Sequence, residues 1–425
     1  MLLSDNKKAM NEHKYDDQLE ILYGEHEISA ARFAHSCDEF EKLYGAPHNV
    51  SFFSAPGRTE VGGNHTDHQH GCVLAGSVNL DVIAVASKND SCIIRIKSAG
   101  YEMDTVDTAS TAVVPENDGK AIALIRGMCD AVVKAGYKTG GFDAYTTSNV
   151  LKGSGLSSSA AFEVLIGNMI NAFYNDGQIP AVEIAKMAQY AENVHFGKPS
   201  GLMDQMASSV GGFTAIDFGD TKKPIIEKID FDLAGAGHSL VIVDTGGDHA
   251  DLTNDYAAIT DELKSVSNIF GKEVLREVDE EQFMLSLATV RENCGDRAVI
   301  RAMHYFAENK RAIAEKEALL KGNFDEFLKL VRESGLSSYM FLQNIYSVSS
   351  PQHQGLAVAL ALSGRILRDT GAYRVHGGGF AGTIQAFVPM DKLSDYINEM
   401  EVVFGNDCCH ILNIRPVGGY VFKEN

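Results

Sequence analysis

The seven cysteines of this 425-residue chain include no CxxC pair. Cys37, Cys72, Cys92, Cys129, Cys294, Cys408 and Cys409 are odd in number and scattered, which argues against a disulfide framework and a structural zinc site. The thiols are expected to be reduced and mostly buried. The neighbours Cys408 and Cys409 are expected on opposite faces of a strand rather than as a redox pair. Long apolar runs are missing too. The longest, Leu356 to Leu362, is far short of the roughly 20 residues that span a bilayer. The opening MLLSDNKKAMNEHKYDDQ is charged where a secretory leader needs an apolar core. No membrane span and no export are expected, and the location is read as cytoplasmic. Basic charge is in deficit, with 37 Lys and Arg against 57 Asp and Glu and a formal charge of −20. Such a field repels nucleic acid and anionic lipid and leaves small molecules as the expected partners. Repeats and low-complexity tracts are absent. A Walker A motif is absent as well, because Gly119, Gly197 and Gly271 each precede a lysine that no Ser or Thr follows.

What is present is the balance of a globular protein, 45% hydrophobic and 22% charged, with enough apolar mass for two domains. Residues 1–26 lack a convincing periodic pattern and read as an extension, poorly ordered or helical. Strands are predicted over 49–53, 73–87, 92–97 and 142–150, and a helix over 120–135 that stops at Gly136. A Gly/Ser loop at 153–159 then enters a strongly apolar helix at 160–174. Further helices are predicted near 182–195 and 202–210. A strand at 239–244 opens a mainly helical half, followed by strands at 373–376, 383–388 and 410–414 around a helix at 391–404. This order implies an α+β fold with helices on one face of an antiparallel sheet. The domain boundary is weakly marked and is set at 225/226, giving an extension (1–26), an N-terminal domain (27–225) and a C-terminal domain (226–425).

Three stretches carry chemistry. In Gly153-Ser154-Gly155-Leu156-Ser157-Ser158-Ser159-Ala160, a glycine loop between a strand and a helix turns backbone N–H groups and a helix N-terminus toward one spot, which suits phosphate. The alternative is a flexible connector, but linkers rarely run straight into so apolar a helix. The second stretch, Ala55 through Gly71, alternates glycines with polar side chains able to hydrogen-bond a polyhydroxylated ligand, and Arg58 can stabilise charge on a transferring phosphoryl group. Its alternative is a solvated polar turn. The cluster His65, Asp67, His68 and His70 also admits a metal-dependent hydrolase. In the third stretch, Ala191 through Gln205, Asp204 falls in the first turn of a helix that Ser200 can cap, where the macrodipole favours its ionised form. Glu192 on the preceding helix can reach a Mg²⁺ ion. Each acid alone reads equally well as a surface or helix-terminal charge. A late run, Gly377 to Gly382, fits G-x-G-x-x-G, but a strand follows it where a dinucleotide fold needs a helix. These glycines are expected to approach the phosphate loop across the domain interface.

In order and spacing the three stretches resemble the signatures of the GHMP kinase superfamily, most closely its galactokinase family. The family pattern PGR-x-N-x-x-GEHTDYN-x-G is similar to Pro56 through Gly71. Its Gly/Ser loop resembles Gly153 through Ala160, and its GIMDQ segment Gly201 through Gln205. The resemblance implies a two-domain GHMP kinase fold, with a ribosomal-protein-S5-like N-terminal domain, a ferredoxin-like C-terminal domain and the active site in the cleft between them. It implies transfer of the γ-phosphoryl group of ATP to the anomeric hydroxyl of galactose or a near relative. Asp204 would be the catalytic carboxylate and Arg58 its charged partner. Ser158 or Ser159 and Glu192 would be the Mg²⁺ ligands, and Asn64, His65, Asp67, Gly201 and Tyr256 would meet the sugar. ATP and Mg²⁺ are the expected cofactors and a monomer or weak dimer the expected assembly. The chain departs from the pattern at Glu60 (Asn in the family), Asn64 (Glu), His68 (Tyr) and Gln69 (Asn). Asn64 is expected to offer the sugar's C6 hydroxyl only a neutral acceptor, so L-arabinose and galacturonate stand as alternative substrates. A catalytically silent sugar sensor on the same fold is the remaining class.

Overall fold

The computed structural model describes residues 1–46, 48–150, 155–198, 200–247 and 252–423. Its strands are β1 (Ser51–Gly62), β2 (Cys72–Lys88), β3 (Ile93–Ser98), β4 (Met103–Asp107), β5 (Phe142–Ser148), β6 (Phe213–Asp217) and β7 (Ile225–Ile229). The later ones are β8 (His238–Asp244), β9 (Ala372–Val375), β10 (Thr383–Pro389), β11 (Cys409–Leu412) and β12 (Tyr420–Val421).

The first sheet runs β12-β1-β2-β5-β3-β4. The long β2 divides its second edge, pairing Val82–Lys88 with β5 and Cys72–Gly76 with β6, which carries β7 beyond it. Only β3 and β5 are parallel. Helices Ala121–Lys134, Ser158–Tyr174, Ala181–Tyr190 and Met203–Val210 supply the packing layer, where Met128, Val164, Leu165 and Met169 meet Phe53, Ala84 and Phe142 in one core. Each fully buried aliphatic side chain there contributes ~1.5–3 kcal/mol. The helix leaving the glycine loop is therefore anchored along its length, and so is the loop's exit. The second sheet, β11-β8-β10-β9, is wholly antiparallel. Helices Gly355–Leu367 and Leu393–Phe404 share its apolar cluster through Leu356, Leu360, Tyr396 and Met400. No helix among the described residues is long and apolar enough to cross a membrane.

Four expectations change. First, residues 1–26, read as a poorly ordered or helical extension, are helical over Leu3–Asn11 and Asp16–Tyr23 and are tied to the fold, with Leu19 and Leu22 packed with Phe33, Phe52 and Phe422. Tyr23 donates to the buried Asp81 at 2.6 Å, so the extension is part of the first domain. Second, β7 still pairs with β6 beyond residue 225, and β12 returns to pair with β1 at Phe53 and Val421. The 225/226 boundary therefore cuts a strand pair, and the C-terminus closes the first sheet. Third, the predicted strand at 49–53 runs on to Gly62, with bulges after Pro56 and Glu60, so Arg58 projects from a strand instead of a turn. Fourth, Cys408 lies just before β11, and its sulfur sits 3.8 Å from that of Cys409, both thiols free.

Candidate active site

Arg58 is placed by its backbone first. Its N–H donates to the Leu156 carbonyl at 3.0 Å, and a Cβ on Gly57 would stand 2.8 Å from that same oxygen. Glycine at 57 is what lets the phosphate loop lie against β1. The Arg58 guanidinium donates to the Gly155 carbonyl and through Nε to Asp204 Oδ1 at 2.6 Å. The second Asp204 oxygen accepts from Ser157 Oγ at 2.6 Å. Burial alone would raise the carboxyl of Asp204, but Arg58 and Ser157 outweigh it and hold it below the usual aspartate range. Asp204 sits in the first turn of Met203–Val210, as expected. Ser200 does not cap that helix. It donates instead to Glu192 Oε2 at 2.6 Å, because the helix begins three residues later.

Gly155 and Ser157 both take the left-handed conformation, at φ +74° and +58°, and Ser158 and Ser159 open the helix Ser158–Tyr174 with Ala160 buried behind them. Gly153 and Ser154 lie outside the described residues. Ser159 Oγ donates to Glu192 Oε1 at 3.0 Å, and Lys198 Nζ reaches the same oxygen at 2.9 Å. Gln205 Nε2 bridges Glu192 at 2.7 Å and Glu163 at 3.2 Å. Glu163 escaped the sequence reading. It is fully buried, and burial first, then the charge of Glu192, pushes its carboxyl well above the usual range. The available signal was its place four residues after Ser159, on the same helix face.

The sugar motif lies beside these residues. His65 lies on the Gly378 carbonyl through Nε2 at 3.0 Å, and burial lowers its pKa to about 4, so the ring is neutral at pH 7. A Cβ on Gly201 would stand 2.5 Å from Asp67 Oδ2, which brings the second and third motifs into contact. Tyr256 donates to the Gly379 carbonyl at 2.9 Å. The 377–379 glycines thus meet the sugar motif and Tyr256. Among the described residues the phosphate loop is approached by the preceding residue, His376, whose Nδ1 is 3.2 Å from a Cβ position on Gly155.

Asn64 is the expectation the geometry overturns. Its side chain is fully buried. It donates to Glu60 Oε1 and the Gly377 carbonyl, each at 2.8 Å, and accepts from Ser338 at 3.1 Å and Asn344 at 2.9 Å. With four protein partners its amide has no capacity left for a sugar hydroxyl.

The metal-hydrolase alternative is not supported. Among the described residues His65, Asp67, His68 and His70 do not converge on a common ion. The one grouping that does, His13, Asp16 and His26, belongs to the N-terminal helices. A strand, a glycine loop entering a buried helix, and an arginine-clasped aspartate in contact with that loop define a small-molecule phosphotransferase of the GHMP class. Residues 123–212 match the family described as GHMP kinases N terminal domain, and residues 38–88 the galactokinase galactose-binding signature. A galactokinase of Streptomyces coelicolor is 32% identical over 388 residues, covering 90% of this chain and 96% of the relative. The chain belongs to the galactokinase family. The crystal structure of Lactococcus lactis galactokinase complexed with galactose shares its fold, with TM-score 0.77 at 22% identity over 92% of this chain and 99% of that one. So does the mevalonate kinase of Methanococcus jannaschii, with TM-score 0.61 at 15% identity over 87% and 99%.

Proposed function

We propose that this chain is an ATP-dependent sugar 1-kinase that moves the γ-phosphoryl group of ATP onto the anomeric hydroxyl of galactose. The observation that carries this reading is the Asp204 carboxylate, held ionised by Arg58 and Ser157 at the mouth of the loop that enters Ser158–Tyr174. The loop's N–H groups and helix terminus cradle phosphate, and Arg58, between Asp204 and the Gly155 carbonyl, faces the charge that spreads over the transferring group. Asp204 uses one lone pair of each oxygen on Arg58 and Ser157. Its side chain keeps 20% exposure, which leaves room for the acceptor hydroxyl. A carboxylate held below its usual pKa is a weak base toward an alcohol. Asp204 therefore orients the hydroxyl and takes the proton late, as the new P–O bond forms.

The oxygens of Ser159 and Glu192 are hard ligands, which suit Mg²⁺; Glu192 already accepts from Ser159, Lys198, Ser200 and Gln205, so the ion would take the place of the Lys198 ammonium. Ser159 and Glu192 would hold the ion, with Ser158 beside them. Bound there, Mg²⁺ would neutralise phosphate charge. His65, Asp67, Gly201 and Tyr256 are assigned to the sugar side. In this reading the partners are ATP and a monosaccharide, the setting is cytoplasmic and the protein works as a monomer or weak dimer.

The test is coupled ADP release with galactose, L-arabinose, galacturonate and glucose, without added zinc. Galactose is expected to lead in kcat/KM by about tenfold or more. A pentose or an uronate leading by that margin would make the enzyme a sister kinase, and no sugar-dependent release at all would leave the silent sensor.

A further inference from the structure

The family pattern carries Asn and Glu at the two positions where this chain carries Glu60 and Asn64. The carboxylate and the amide have changed places, and the two side chains are bonded to each other at 2.8 Å. Glu60 Oε1 also accepts from Arg374 at 2.8 Å, a fully buried arginine on β9 that donates to the Val61 carbonyl at 2.6 Å. Asn64 is tied to the glycine run through Gly377 and to Ser338 and Asn344 at the end of the helical half. Its backbone is gripped as well. Glu308 Oε1 accepts from the N–H groups of Gly63 and Asn64 at 3.1 and 3.3 Å, and His304 Nε2 meets the Asn64 carbonyl at 3.0 Å.

This cluster joins the two sheets just where the sugar motif leaves β1. Two residues before Glu60 stands Arg58 on Asp204. One residue after Asn64 stands His65 on Gly378. We propose that Glu60 and Asn64 are a compensated pair of positioning residues, which with Arg374 hold the sugar loop in register with Asp204, and that residue 64 acts through protein contacts and not by touching the sugar. The inference rests on the kinase reading above. The structure gives the reason for the pairing. Glu at 64 alone would set a second carboxylate against Glu60 and against the Gly377 carbonyl. Asn at 60 alone would leave Arg374 without its anion and turn an amide toward the Asn64 amide. Made together, the two changes again set one carboxylate against one amide at the contact between residues 60 and 64.

The experiment compares wild type, Glu60→Asn, Asn64→Glu and the double exchange in full-length protein, measuring kcat, KM for galactose, KM for ATP and melting temperature. Each single exchange is expected to lower kcat/KM for galactose by about 100-fold or more, while the double stays within about tenfold of wild type, a coupling only contacting residues show. The gentler Glu60→Gln keeps the shape and removes the charge, and is expected to raise KM for galactose about tenfold with KM for ATP within about threefold. A loop merely destabilised would move both Michaelis constants together with the melting point. Strictly additive losses in the double variant would overturn the pairing, and so would Asn64→Glu alone improving galactose use, since residue 64 would then touch the sugar. If Asn64→Glu does not fold, the split between the two Michaelis constants in Glu60→Gln decides. Wild type lacking sugar-dependent ADP release would be a failure of the kinase reading and not of this one.

Discussion

Changing Asp204 to Asn removes one charge from a cluster that has little else to balance it. Arg58 has a side chain 9% exposed and would keep the Gly155 carbonyl and one amide oxygen, but no anion in direct contact. Breaking a buried ion pair from one side costs ~3–5 kcal/mol. Here the amide still accepts one bond and the Asp204 side chain is 20% exposed, so the loss falls below that range, at about 2–3 kcal/mol. At about 2–4 °C per kcal/mol for a domain of this size, melting should fall by roughly 5–10 °C. Turnover is a separate quantity. Loss of the group that orients and deprotonates the acceptor should lower kcat by about 10²–10⁴-fold. The two effects separate in Arg58→Met/Asp204→Asn, which removes both charges. Its melting point should return most of the way, because a buried pair replaced on both sides costs little, while kcat stays at least about 100-fold down. The assay is ADP release at saturating ATP and galactose, with calorimetric melting on the same samples. Turnover within about threefold of wild type in Asp204→Asn would refute the assignment. Recovery of turnover in the double variant would refute it as well.

Ser157→Ala removes one of the groups that hold Asp204 ionised, so the acid limb of kcat/KM should move to higher pH; an unmoved limb would detach Ser157 from Asp204. Ser159→Ala should raise the Mg²⁺ requirement far more than Ser158→Ala, since Ser159 is the hydroxyl on Glu192; equal effects, or none on ATP kinetics, would undo the Mg²⁺ assignment. Burial and the charge of Glu192 hold the folded pKa of Glu163 above its unfolded one. Its contribution to stability is therefore complete at acid pH and is lost as pH rises through that raised value. Glu163→Gln cannot titrate, so its melting temperature should fall less than that of wild type as pH rises from the ordinary glutamate range, and parallel curves would show that the Glu163 carboxyl is not raised.

Much of this was legible in the residues. Apolar periodicity located the helices at 121–134 and 158–174 to within a few residues, because buried faces repeat with the helical turn. The strand after Gly382 separated the late glycine run from a dinucleotide fold. Motif order gave the family, and within the third motif the place of Asp204 in a helical first turn. Less was legible where local signals stop. The continuation of β1 through Pro56 and Gly57 hides behind turn-forming residues, and only pairing with β2 and two bulges keeps the strand going. The return of Tyr420–Val421 to β1 joins residues almost a chain length apart.

The sequence by itself determined the class of chemistry, since a glycine loop before an apolar helix, an arginine and a first-turn aspartate are local patterns whose physics does not depend on distant contacts. Tertiary structure alone decided which oxygen each side chain faces. It turned Ser200 from a helix cap into a partner of Glu192, buried Glu163 so that its carboxyl is raised, and set Asn64 in a cluster with Glu60, Arg374 and Glu308. The reason is electrostatic. A buried polar group must find its partners wherever the fold brings them, and those partners come from strands and helices up to about three hundred residues away, as Arg374 does for Glu60.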